Sequence, residues 1–143
     1  MKCELISVGD ELLIGQTINT NASWLGEQLN NLGFTIVHGL VISDQKKDIV
    51  NALNQAENRS DIVLITGGLG PTNDDITKHT LTEYFNTTLE LDKEIEQNII
   101  DYFTNRNLPI LQTNKDQALI PKACQVLSNS RGSASGMWFE KNG

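Results

Sequence analysis

The chain has 143 residues, with 11 Lys or Arg against 18 Asp or Glu, so its formal net charge is -7 at neutral pH. This length suits one domain with its own hydrophobic core. The ordinary glycine and proline content excludes collagen-like and low-complexity proteins, and an acidic balance without a basic cluster disfavours nonspecific nucleic-acid binding. Without a membrane-length apolar run or a signal-peptide pattern at the N-terminus, we expect a soluble, cytoplasmic protein.

Apolar runs alternate with segments of helical periodicity in the first half of the chain. Each apolar run predicts a strand, and each periodic segment predicts a helix. In chain order the predicted elements are a buried strand over 3–8, a loop from Gly9 that carries Asp10 and Glu11, a helix from Asn21 that stops at Gly33, a strand over 34–42, and a helix capped by Ser43 or Asp44.

The second half continues the alternation. Residues 61–66 form a nearly continuous β-branched run, which predicts a central strand covered on both faces. After it we predict a glycine-rich turn over 67–72, a helix burying Ile76, Leu81, Tyr84 and Phe85, a helix burying Ile95, Ile99, Tyr102 and Phe103, a loop with Asn114, Lys115 and Gln117, and strands over 125–127 and 136–140. The alternation predicts an α/β fold with a mostly parallel, doubly wound sheet.

Two segments are predicted to follow the carboxyl ends of strands, where open parallel sheets bind ligands. In the first, Asp10 and Glu11 are either a solvated turn or ligands for a ribose, a pterin edge or a metal. In the second, TGGLGPTNDDIT over 66–77, three glycines allow close backbone approach to an anion. Because the string matches neither the dinucleotide fingerprint nor the P-loop, a simple tight turn is the alternative.

Two adjacent acids follow that turn. Asp74 and Asp75 are predicted in the first turn of the next helix, after a cap at Thr72 or Asn73, where carboxylates favour the helix dipole. Two carboxylates beside a phosphate loop repel a phosphate unless a cation lies between them, and Mg²⁺ commonly binds carboxylates together with substrate phosphates. We therefore predict that Asp74 and Asp75 bind a divalent metal and are catalytic.

The two cysteines, Cys3 and Cys124, lie far apart and outside any metal-ligand spacing, so we predict buried free thiols.

Three strings, in order, carry a family resemblance: GDELLIGQTINTN over 9–21, TGGLGPTNDDIT over 66–77 and NKDQALIP over 114–121. Together they resemble the N-terminal domain of CinA, the competence/damage-inducible protein, in the molybdopterin-binding superfamily typified by MoaB and MogA. The resemblance implies a three-layer α/β/α sandwich with a mostly parallel sheet. On its pattern Asp75 is the functional aspartate and Asp74 its neighbour; the predicted phosphate- and ligand-binding set is Gly67, Gly68, Gly70, Thr72, Asp10, Glu11, Asn114 and Lys115.

For function, the resemblance implies a metal-dependent hydrolase, a nucleotide pyrophosphatase acting on ADP-ribose-type diphosphates. The alternative is a module that binds molybdopterin or a nucleotide without hydrolysing it. The expected cofactor is Mg²⁺ or a similar divalent metal, and the expected partner is a nucleotide or pterin phosphate. We also expect a homo-oligomer, with neither nucleic acid nor membrane as a partner.

The resemblance also bears on domain organisation. CinA-like proteins carry a separate C-terminal domain with nicotinamide-nucleotide amidohydrolase activity, which we expect to be absent from residues 1–143. We expect these residues to be a single domain cut before its last strand and helix, ending on the hairpin-type dipeptide Asn142-Gly143. A truncated chain that folds without activity is therefore a third possibility.

Overall fold

The computed structural model of the chain describes residues 1–72 and 75–141. The described residues form two compact units, one of residues 1–69 with 75–80 and the other of residues 70–72 with 81–141. Asn73, Asp74 and the predicted turn at Asn142-Gly143 lie outside the described residues. No helix in the described part of the chain is long and apolar enough to cross a membrane.

The first unit alternates strands with helices. Its elements are β1 (Lys2–Val8), α1 (Asp10–Leu13), α2 (Thr20–Asn31), β2 (Thr35–Ile42), α3 (Lys46–Ala56), β3 (Ile62–Thr66) and the beginning of α4 (Thr77–Tyr84).

Its sheet is parallel throughout, in the order β2-β1-β3. The central strand β1 is buried from Cys3 to Val8. Helix α3 contributes Ile49, Ala52, Leu53 and Ala56 to the core, at the spacing of one helical face. The parallel sheet with intervening helices confirms the predicted α/β fold class.

An ion pair between a buried carboxylate and a half-buried arginine joins β1 to the segment before β3. The Glu4 carboxylate is fully buried and accepts from Nε and Nη2 of Arg59 at 2.7 and 2.6 Å. This bidentate pairing raises the pKa of the guanidinium of Arg59, mainly through the hydrogen bond to Glu4. The pair satisfies a carboxylate that would otherwise be isolated in the core.

The second unit contains two short antiparallel pairs and two further helices. After the end of α4 come β4 (Leu89–Leu91), α5 (Lys93–Thr104), α6 (Gln112–Lys115), a single 3₁₀ turn (Asp116–Ala118), β5 (Leu119–Pro121), β6 (Gln125–Leu127) and β7 (Gly136–Trp138). Strand β4 pairs with β5 and β6 pairs with β7. The core of this unit consists of Ile95, Ile99, Ala118 and Ile120.

Four local predictions are wrong. Among the described strands β3 pairs only with β1 and is half-buried, so it is not the central strand; an apolar run indicates burial, not the number of neighbouring strands. The N-cap position of α3 is Gln45, not Ser43 or Asp44; the hydroxyl of Ser43 donates to the Asp48 carboxylate, and the Asp44 carboxylate accepts from the N–H of Asp10. The predicted loops at Asp10 and at residues 114–117 contain short helical turns instead.

Candidate functional site

A cleft of about 470 Å³ opens at the carboxyl ends of the three parallel strands of the first unit. Its described lining consists of Val8, Asp10, Glu11, Asp44, Gly67, Gly68 and Asp75. Because β1 lies between β2 and β3, the loops after β1 and β3 diverge there and leave a crevice, the usual ligand position in such sheets. The structure thus brings together five predicted site residues.

The glycines at the end of β3 leave no room for side chains. A Cβ on Gly67 would lie 2.0 Å from the carbonyl oxygen of Val8, and one on Gly68 would lie 2.2 Å from Oγ1 of Thr77. Both residues also have positive φ angles, of 96° and 62°. Only glycine meets both conditions, so this wall of the cleft is backbone.

Thr77, the first residue of α4, holds the glycine loop and was not predicted as a site residue. Its hydroxyl donates to the carbonyl of Gly67 at 3.0 Å, and its N–H donates to the carbonyl of Gly68 at 3.1 Å. Thr77 is 1% exposed. The available signal was a threonine in line with Thr80 and Leu81 on the buried side of an amphipathic helix.

Asp44 is a second cleft residue that was not predicted as a ligand, since the sequence predicts it, with Ser43, as a candidate helix cap. The N–H of Asp10 donates to Oδ2 of Asp44 at 2.9 Å, and the N–H of Asp44 donates to Oδ1 of Asp10 at 3.3 Å. This reciprocal pair joins the loops after β1 and β2. The available signal was an acid shortly after the second strand, in the position that Asp10 occupies after the first.

Asp75 precedes α4 and does not belong to its first turn. The helix begins at Thr77, two residues later, so the predicted dipole role for a first-turn carboxylate is wrong for Asp75. The predicted cap at Thr72 is also wrong, because this residue lies five positions before the helix. Asp75 is half-buried in the cleft lining.

The oxygen donors in the cleft suit a hard divalent cation. Carboxylates are the preferred ligands of Mg²⁺, which commonly takes one or two from the protein and completes its shell with water and phosphate. Within residues 1–72 and 75–141, no group of three or more His, Cys, Asp or Glu side chains could hold a metal ion. The described carboxylates fit a cation that also binds water and a ligand's phosphates.

The cleft lining also determines how an anion could bind. None of the residues that the structure describes in this lining is Lys, Arg or His, whereas four are Asp or Glu. A phosphate entering here meets like charges unless a cation accompanies it. The charge of the described lining therefore favours an anion only together with a cation.

Four predicted ligand residues, Gly70, Thr72, Asn114 and Lys115, belong to the second unit. Oδ1 of the buried Asn114 accepts from the N–H of Leu111 at 2.9 Å, which stabilises the beginning of α6. Lys115 is the last residue of that short helix. Ligand binding by these four residues stays a prediction, and so does metal binding by Asp74.

Comparison with known proteins identifies the family. A family model described as a probable molybdopterin binding domain matches residues 4–138. The crystal structure of CinA from Thermoplasma acidophilum superposes with a TM-score of 0.83 at 32% identity, covering 95% of this chain and 79% of that one. The chain belongs to the CinA family of molybdopterin-binding-like domains. The family resemblance predicted from the three motifs is confirmed.

Curated CinA-like proteins share this domain within longer chains. The relative from Flavobacterium psychrophilum is 48% identical over 145 residues, which cover 99% of this chain and 34% of the relative. The relative from Cytophaga hutchinsonii is 44% identical over 140 residues, covering 98% and 34%. The chain therefore spans about a third of the length of these relatives.

A solved structure of lower identity shares the fold. The tungsten cofactor synthesizing protein MoaB from Pyrococcus furiosus superposes with a TM-score of 0.55 at 24% identity, covering 73% of this chain and 63% of that one. This likeness supports the predicted fold, an α/β sandwich with a parallel sheet.

Proposed function

We propose that the cleft binds the diphosphate of an ADP-ribose-type nucleotide with a divalent cation and hydrolyses it. The observation that carries this proposal is the meeting of carboxylates from three strand-end loops with a side-chain-free glycine wall. Backbone amides suit phosphate oxygens, and carboxylates suit the cation that must accompany them.

In this proposal the chain's own residues bind and orient the substrate. Asp75, with Asp10 or Asp44, would hold the cation, and the proposed contribution of Asp74 rests on the family pattern. The loop of Gly67 and Gly68 would place the diphosphate beside them. A bound cation would supply charge neutralisation and a more acidic water. Attack of water on one phosphorus would break the bridging P–O bond; the water oxygen would stay on the attacked phosphate, and AMP and ribose 5-phosphate would leave.

A second function is favoured by the family itself. The matching family is described as a probable molybdopterin binding domain, so the same cleft would bind a pterin phosphate or a nucleotide without cleaving it. Both functions use the glycine loop and the same acids. Turnover separates them.

The test is the release of AMP from ADP-ribose by the purified chain, with Mg²⁺ and with a chelator. We expect turnover with the metal, and Asp75→Asn should lower kcat by roughly 100-fold because it removes a ligand charge beside the phosphates. Glu27→Gln is the matched control, since it removes one negative charge from the exposed side of α2 in the same unit. This control should keep the wild-type rate.

Two results would contradict the proposal that this cleft hydrolyses a diphosphate. Turnover that survives Asp75→Asn unchanged would place the chemistry outside this cleft. Metal-dependent binding of ADP-ribose or a pterin phosphate, measured by calorimetry without any AMP release, would leave the binding module as the function.

A further inference from the structure

Thr77 donates hydrogen bonds to the carbonyl groups of both Gly67 and Gly68. The Thr77 hydroxyl donates to Gly67 and the Thr77 backbone N–H donates to Gly68. Because Thr77 is almost completely buried, water cannot readily replace the hydroxyl as the partner of Gly67. Losing it would leave a loop of two successive glycines tied by the backbone bond alone.

The bond to Gly67 also fixes the direction of the next amide. The carbonyl of Gly67 and the N–H of Gly68 belong to one planar peptide, and the described chain contains no cis peptide bond. In a trans peptide these two groups point in opposite directions. A carbonyl held by Thr77 therefore turns the N–H of Gly68 away from α4, and Gly68 lines the cleft.

We propose that Thr77 is a positioning residue that holds the Gly67–Gly68 peptide in the orientation in which the Gly68 N–H binds a phosphate oxygen. The inference rests on the proposed binding of a diphosphate in this cleft and adds a residue that touches neither the ligand nor the cation. Glycine accepts several backbone conformations, so this peptide reorients when the hydroxyl is removed.

The variants separate the hydroxyl from the rest of the side chain. Thr77→Ser keeps the donor, whereas Thr77→Val has nearly the same shape without it. Thr80→Val is the matched control, because Thr80 is 2% exposed on the same helix, three residues after the threonine whose hydroxyl donates to Gly67. Thr77→Ala serves as a second donor-free variant if Thr77→Val does not fold.

The experiment titrates the ¹⁵N-labelled chain with inorganic pyrophosphate in the presence of Mg²⁺ and follows the Gly68 amide signal. We expect this signal to move in the wild type and in Thr77→Ser, with similar affinities. Thr77→Val should bind roughly tenfold more weakly, the equivalent of about 1.4 kcal/mol for one lost hydrogen bond. Thr80→Val should bind as the wild type does.

Three results would overturn the inference: wild-type affinity in the donor-free variant, an equal loss in Thr80→Val, or a wild-type Gly68 signal that does not respond to pyrophosphate. Failure of the hydrolase looks different. If ADP-ribose is not cleaved but the Gly68 response still depends on the Thr77 hydroxyl, the positioning role stands and the cleft is a binding site.

Discussion

Gly67 shows how little space the end of β3 leaves beside β1. Its positive φ and the nearby carbonyl of Val8 are independent constraints, one on the backbone torsion and one on volume. From the sequence, this glycine was expected to let an anion approach the backbone. The structure shows that a side chain here would also clash with the carbonyl of Val8. The same residue therefore serves the fold and the shape of the cleft.

We expect Gly67→Ala to lower the free energy of unfolding by about 1 to 3 kcal/mol, through backbone strain and the contact with Val8. Urea denaturation measures the loss. Gly39→Ala is the control, because a Cβ on this residue of β2 meets nothing within 4 Å. Equal effects of the two substitutions would show that the close contact at Gly67 is unimportant.

The Glu4–Arg59 pair provides a second prediction at the level of single residues. Arg59→Met should lower the urea midpoint strongly, because it leaves the Glu4 carboxylate buried without its partner. The double variant Glu4→Met/Arg59→Met should recover most of that loss, since no unpaired charge remains. A double variant as unstable as the single one would mean that the ion pair itself stabilises the fold.

At the level of elements, the helices differ in how they begin. The Asp92 carboxylate accepts from the N–H groups of Glu94 and Ile95 at 2.9 and 3.0 Å and caps α5. Gln45 occupies the N-cap position of α3, but its side chain makes no hydrogen bond to the helix. The beginning of α5 therefore depends on one side chain, whereas the beginning of α3 does not.

We expect Asp92→Ala to destabilise the protein by about 0.5 to 2 kcal/mol in urea denaturation, as the loss of an N-cap commonly does. Asp92→Ser should retain most of the stability because its hydroxyl also accepts. Gln45→Ala, the matched control on α3, should change little. A large loss of stability in Gln45→Ala would show that the hydrogen bonds of the Asp92 carboxylate do not explain the effect of Asp92→Ala.

The predictability of the elements follows from the range of the interactions that form them. Helices α3 and α5 were predicted because their buried residues repeat at helical spacing, which is visible in a short window. Strands β4 and β5 were missed because each has three residues and is defined by pairing with the other, far along the chain. Local pattern carries little information about such strands.

At the scale of the whole molecule, each compact unit holds one cysteine, Cys3 in the first and Cys124 in the second. Burial raises the pKa of both thiols, and the charge of Glu4 raises the pKa of Cys3 further. Below the pKa of an unfolded thiol, both states are protonated. Above it the unfolded chain loses its protons first, so alkaline pH favours unfolding.

We therefore expect the free energy of unfolding to fall as the pH rises from about 8 to 10, the range in which unfolded thiols titrate. Cys3→Ala/Cys124→Ala should show a shallower fall. Urea denaturation at several pH values gives the slope of the unfolding free energy against pH for the wild type and for the variant. Comparing these slopes removes any pH-independent loss of stability caused by the substitutions. Parallel slopes would mean that other groups cause the alkaline loss.

The sequence by itself determined the family, the α/β class, the glycine turn and most of the acids at strand ends, because these are encoded in short motifs and local periodicity. The tertiary structure decided which of them meet. Parallel pairing in the order β2-β1-β3 brings Asp44 to Asp10 and places Gly67 against Val8, and the start of α4 carries Thr77 to the glycine carbonyls. These contacts join residues that are distant in the chain, so their positions follow from strand pairing and packing.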